Sequence, residues 1–369
     1  MSTLNVNTIN ASTTGQAVEV DIKNPKSFRN KVKNGSMIVN QRGNQSSVTT
    51  SVYGLDRFKV QEAAAVTYDI NQSTDTPDGF GNSFHIDIQG AQSSPAASHF
   101  MQLMTALEGF DVQDFAKGTS EAKQYAVSFY IKTNVTGNYA LQITDDNSRS
   151  CSQIYTVSDT NWNRYTVIFP ADTTGAIDND NTEGLRLTWH LLVGTDRTSG
   201  TMNTTWAATT TANIAAGQNA NVASSTSNNW YITGVQLEVG GTVSDFEHLS
   251  FGQELHRCAR YYQKQLSGNL KAVATGFAYN TQYGNFTPHY PMGPMRTAPS
   301  LDQTNGDNYY EINGGLDHGD HLDGAFIIEH GTETTSNIYF DPDGALNNGY
   351  AFYIRSDNAA AYFAYSAEL

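Results

Sequence analysis

The sequence predicts an all-β protein: a two-sheet sandwich, one short helix, and a second β domain beyond it. Three observations predict it. Apolar and polar residues alternate with period two in many short runs, as half-buried strands require. The runs are separated by turn residues, with Gly 31 and abundant Thr, Ser and Asn. One stretch alone, after Ser250, carries an apolar stripe at helical spacing.

The first element is residues 1–33. Leu4, Val6, Thr8 and Ile9, then Val18, Val20 and Ile22, form short alternating runs. A lone strand cannot pair its backbone or bury a face, so this segment must lie on another copy or another protein. We read it as an anchor. Lys23, Lys26, Arg29, Lys31 and Lys33 make it basic, although the chain's net charge is −15. Such a cluster is either a solvated linker or a docking patch for an acidic protein partner.

Residues 34–250 form the sandwich. Candidate strands are Met37–Asn40, Phe84–Gly90, and runs starting at Tyr125, Tyr139, Ser152, Trp162, Gly184 and Asn229. The run His99–Gly109 fits either a buried strand or a short helix, because periodicity alone does not separate them. Residues 251–264 read as a helix capped by Ser250. Phe251, Leu255, Cys258, Ala259 and Tyr262 share one face. A helix this short is marginal alone. The stripe Phe251, Leu255, Cys258 and Tyr262 would find its partner in two further copies around an axis, giving a homotrimer. Residues 265–369 form the distal β domain, with three basic and 12 acidic residues.

Composition excludes several functions. The acidic body offers no nucleic-acid surface. No apolar run reaches the roughly 20 residues that span a bilayer, so no membrane insertion is expected. The first residues lack the charged and apolar regions of a secretory leader. Cys151 and Cys258 have no CxxC or Cys/His ligand spacing and read as reduced and structural.

Two acidic loops are candidate metal sites, although each also reads as a solvated turn. Asp178, Asp180 and Glu183 share one, as hard cations prefer. Asp317, His318, Asp320, His321 and Asp323 share the other, mixing imidazole and carboxylate. Phe340–Gly349 reads as a turn. Sugar binding needs exposed aromatic platforms with polar partners. Trp206, in a Thr/Asn/Ala-rich loop, is either such a platform or a buried plug. Tyr279, Tyr283 and Tyr290 cluster in a Gly/Asn/Pro-bearing loop suited to a glycan or to a trimer axis. No GxSxG, HExxH or phosphate loop occurs, so no enzyme is expected.

The corner SDFEHLSFGQELHRCARYYQK, Ser244–Lys264, resembles a junction recurrent in bacteriophage tail-fibre and related virion appendage proteins. The match covers Gly234–Gly240, Phe246–His248, Ser250, Gly252, Glu254–Leu255, Cys258 and Arg260–Gln263, and departs at Leu249 and Phe251. Asn34–Gly43, Tyr53–Phe58, Met295–Leu301 and Ser366–Leu369 resemble other parts of the same proteins. The resemblance implies a carbohydrate-binding-like jelly roll, a helix and a distal domain, as a trimer within a virion. The N-terminus would dock onto other virion structural proteins, and the β domains would meet a host glycan or receptor. A capsid-attached head fibre or decoration protein, and a polysaccharide-cleaving tailspike, are the alternatives. At the corner, Phe246 is expected to plug the sandwich base, with Glu247 and His248 bonding across the hinge.

Overall fold

The computed structural model describes residues 28–314 and 319–369. The first unit contains β1 (Gln45–Val48), β2 (Val52–Tyr53), β3 (Lys59–Glu62), β4 (Thr67–Ser73), β5 (Ser83–Gly90), β6 (Phe100–Glu108), β7 (Tyr125–Thr133), β8 (Gly137–Asp145), β9 (Arg149–Val157), β10 (Asn163–Phe169), β11 (Glu183–Val193), β12 (Ala207–Ala208) and β13 (Asn229–Val239). They pair into two antiparallel sheets, β1-β4-β5-β13-β7-β10 and β12-β9-β8-β11-β6-β3-β2, which stack as a jelly-roll sandwich. Alternation explains the stacking. In β13, Trp230 and Ile232 are fully buried between the sheets, while Tyr231 faces outward. Trp189 and Phe129, edge to face at 5.6 Å, belong to the same core as Trp230.

The ambiguous run at His99 is strand β6. It lacks alternation because it lies inside its sheet, between β3 and β11, and both its faces are covered. Met37–Asn40 is not a strand. The chain turns there, with Met37 at φ 58°. The Asn34 carboxamide holds the turn, donating to the carbonyls of Val39 and Asp56 and accepting from the Val39 N–H.

The distal unit contains β14 (Tyr262–Ser267), β15 (Ala272–Ala278), β16 (Gly284–Phe286), β17 (Ser300–Gln303), β18 (Tyr310–Asn313), β19 (Asp320–His321), β20 (Ile327–Gly331), β21 (Ser336–Phe340), β22 (Ala351–Ser356) and β23 (Tyr362–Ser366). A small sheet β14-β23-β17 packs on a larger one, β19-β18-β22-β15-β16-β21-β20. Phe326, Phe340, Phe352 and Phe363 fill the space between them.

Helix α1 (Phe251–Ala259) is shorter than its apolar stripe. Ser250 and Gln253 form a capping box at its start. Tyr262, expected on the helix, instead opens β14 and pairs with Ser366. Around this point the two units are joined by buried charge. Glu108 accepts both arms of Arg260 at 2.7 Å and the Tyr261 hydroxyl. Glu368 pairs with Arg42 and Arg57. The Arg57 guanidinium lies 3.5 Å over Tyr261, and that of Arg42 lies 3.6 Å over Tyr262.

Candidate functional site

The corner motif is an internal clamp. Gln236 accepts the Glu247 N–H at 2.8 Å and donates to Glu238 and the Asp245 carbonyl. Glu238 accepts the N–H and hydroxyl of Ser244. The Glu247 carboxylate accepts the N–H groups of Phe28 at 2.5 Å and Asn30 at 2.9 Å. Glu254 of α1 accepts the Asn34 N–H and pairs with Arg257. Phe246 sits on the outer side of the sheet, not in the base of the sandwich. It packs with His248 and Phe80, and Phe80 packs in turn on Tyr130. Gly234, at φ 63°, gives them room: a Cβ there would lie 2.8 Å from Phe80 and Tyr130.

The clamp also corrects the anchor. Lys23 and Lys26 lie outside the described residues. Arg29 is drawn to Ser244, Asp245 and Glu238, Lys31 to Asp114, and Lys33 to Asp111. Val32 is part of the core. These three cations are spent on the sandwich itself, whose folded body therefore begins by Phe28. They do not form a free docking patch.

The helix stripe is likewise mostly internal. Cys258 and Tyr262 are fully buried within the chain, and the Tyr262 hydroxyl donates to Asp302 at 2.9 Å. They are not available as trimer contacts. Phe251 is exposed and Leu255 half-buried. Cys151 and Cys258 are free, buried thiols.

Of the sugar platforms, Trp206 is 8% exposed, donates Nε1–H to the Pro170 carbonyl, and lies under the Lys117 ammonium. It plugs the sandwich end, and its partners are distant in sequence. Tyr290 is buried against Tyr365. Tyr279 and Tyr283 do come together, in the turn between β15 and β16, where the Tyr279 N–H bonds the Tyr283 carbonyl.

This turn borders an aromatic face that sequence reasoning missed. On the outer side of the large distal sheet, Ala351, Phe277, Asn285, Tyr339 and Ile327 are in register across five strands. Asn313, Tyr353 and Thr275 form the next row. Phe277 is 48% exposed, Tyr353 41% and Tyr279 65%. Between Phe277 and Tyr353 runs an open groove of about 540 Å³, bordered by Gly276, Gly314 and Asn313. Alternation along β22 was legible, but Phe352 and Ile354 are as apolar as Tyr353, so the outward parity was not.

A second outward row crosses the sandwich: Lys132, Tyr231, His85 and Asn71. Trp162 extends it, donating to Asp75 at 2.9 Å. Tyr231 and His85 stack at 4.1 Å and 2°, so each covers a flat face of the other.

The proposed metal loop is divided. Asp317 and His318 lie outside the described residues. Asp320 and His321 occupy successive strand positions and point to opposite faces. His321 approaches Glu311 and Asp357, while Asp323 groups with Asp307 and Asp343. Glu311 is already bonded by Arg355 and Asn313. The described loop residues therefore do not converge on one ion. In the other loop, Asp180 caps Thr182 and Glu183 pairs with Arg186, as in a self-satisfied turn.

Neither a protein-family model nor a curated protein matches the sequence. Solved structures with related topology include a family 4 carbohydrate-binding module, at 12% identity and TM-score 0.27, covering 56% of this chain and 99% of that one. TmCBM61 in complex with β-1,4-galactotriose aligns at 10% identity and TM-score 0.29, covering 57% and 99%. A family 11 module from Clostridium thermocellum, in complex with a mixed-linked tetrasaccharide, aligns at 12% and 0.26, covering 56% and 98%. Likeness of this degree assigns no ligand to this chain.

Proposed function

We propose that the chain is a structural, adhesive protein of a virion appendage that holds host-surface glycan on its distal sheet. The observation that carries the adhesive reading is the exposed aromatic face formed by Phe277, Tyr353 and Tyr279. Sugar C–H faces stack on such rings. The appendage reading is supported by the corner motif. Its residues build a clamp that fixes a helix and a distal unit to a sandwich. We place the protein in the virion as a homotrimer, attached through the segment before Phe28. A capsid-bound fibre would use the same parts at another place on the particle.

The test is binding of the purified chain to host-surface polysaccharide, compared with the double variant F277A/Y353A. We expect an affinity loss of about tenfold or more, since each stacked ring contributes about 0.5–1.5 kcal/mol. Equal binding by the variant would remove the distal sheet from the reading. Release of reducing sugar by the wild type would replace it with a polysaccharide-cleaving one.

A further inference from the structure

The two sheets of the sandwich have four edges, and three of them are blunted. β12 and β2 are two residues long, and β1 has four residues, a broken register and Ser47 at φ 55°. β10 is different. All seven of its residues pair with β7 in one unbroken register, with no proline and no bulge. Among the described residues, no backbone group bonds its outer side. A long, regular edge left open is a template for another strand, and folded proteins blunt or cover such edges. The side chains of β10 point the same way. Tyr165 is only half-buried at the rim of the core, where it meets Phe129 and Tyr155. On the outward face, the Arg164 guanidinium reaches Ser128 and Ser244 but, among the described residues, no carboxylate.

A strand that fits this edge needs apolar residues at alternate positions, to cover Tyr165 and Val167, and acidic residues between them, to meet Arg164. The chain's own sequence holds such a run just before the described residues: Val18, Glu19, Val20, Asp21 and Ile22. The other early run, Leu4–Ile9, carries no charge. The connection is also long enough. Lys31 bonds the Leu237 carbonyl of β13, and Arg29 and Arg164 both reach Ser244, so the described chain begins within reach of the Arg164 side chain. A strand added to β10 would lie three strand spacings from β13, about 14 Å. The six residue steps from Ile22 to Phe28 span up to about 20 Å. A tether this short holds its segment at an effective concentration on the order of millimolar, which favours the same chain over a second copy. We infer that Val18–Ile22 docks antiparallel on the outer edge of β10 in its own chain, adding a strand to that six-stranded sheet. Val18 and Val20 then lie beside Val167 and Tyr165, and Asp21 beside Arg164. Residues 1–17 are left for the virion attachment proposed above, and the docking does not rest on that reading.

The test is hydrogen–deuterium exchange over residues 163–169, in the full chain and in a chain starting at Phe28. An edge strand opens locally, so exchange reads it where melting of the whole body does not. We expect the outward amides of β10 to exchange about tenfold more slowly in the full chain. In E19K/D21K that protection should fall by up to about fivefold, the effect of losing a cross-strand ion pair. Adding R164E to E19K/D21K should restore it. Equal exchange in the full and shortened chains would overturn the inference. Protection that E19K/D21K leaves undiminished would remove Val18–Ile22 as the occupant. Oxidation of the D21C/R164C variant then separates the same chain from a neighbour on a denaturing gel. A cross-link within one chain is expected. A cross-link between chains would overturn docking within one chain and assign the edge to the segment of a second copy. Absence of any cross-link would overturn the register that sets Asp21 beside Arg164.

Discussion

His190 is fully buried on β11, its Nε2 3.3 Å from the Gln142 amide oxygen. Burial, with a smaller contribution from Arg197, lowers its pKa from 6.5 to about 3. Between those values only the unfolded chain takes up the proton. The stability contributed is therefore complete above about pH 6.5 and is lost as pH falls toward 3, at up to about 1.4 kcal/mol per pH unit. Asp172 acts lower. Desolvation would raise its pKa, but hydrogen bonds from Arg149, Thr174 and Lys117 hold it at about 2. Its contribution is complete above about pH 3.8 and fades as pH falls through 2. Urea unfolding from pH 7 to 4 should show a falling stability that His190→Gln flattens. An unchanged slope in the variant would show that other groups set the acid response.

At the scale of elements, the strongest prediction concerns Glu368, just beyond β23. It is the carboxylate partner of both Arg42 and Arg57, two cations that are almost fully buried. Glu368→Ala would leave them without it, and breaking a buried pair costs about 3–5 kcal/mol. We expect a loss of that order in urea unfolding, and separate melting of the sandwich and distal unit by calorimetry. A single transition at the wild-type temperature would show that the joint is held elsewhere. The same joint explains what the sequence could reveal about the helix. The cap at Ser250 and the stripe from Phe251 to Ala259 were local signals and were legible. The helix stop was not, because Tyr261 and Tyr262 are claimed by Glu108, Arg57 and Arg42, which are distant in sequence. The two readings of Trp206 stayed open for the same reason: its small polar neighbours suggest a surface loop, while Tyr125 and Lys117, distant in sequence, bury its ring. Strands with clean alternation, such as Phe84–Gly90 and the run from Asn229, were legible because their partners need only match a pattern, not a particular residue.

For the whole molecule, residues 28–33 can be assigned to the folded body. A chain starting at Phe28 keeps Val32 in the core and the Glu247 bonds to Phe28 and Asn30. A chain starting at Asn34 loses them all. We expect the first to melt with the full chain and the second to lose at least about 2 kcal/mol, mainly from removing a buried valine and orphaning Glu247. Equal melting would show that residues 28–33 merely lie on the surface. Light scattering on the full chain and on the chain from Phe28 tests the proposed trimer, and whether association needs the first 27 residues.

The Glu368 joint also has a consequence in time. Arg57 and its carboxylate partner are separated by 311 residues. At 5–20 residues per second, the ribosome delivers the partner roughly 15 to 60 s after the arginine. During that interval the sandwich can collapse, but its base retains cations waiting for a carboxylate. The two units are thus locked together only after both have been synthesised, and a nascent chain that stalls before residue 368 leaves the latch open for proteases to recognise.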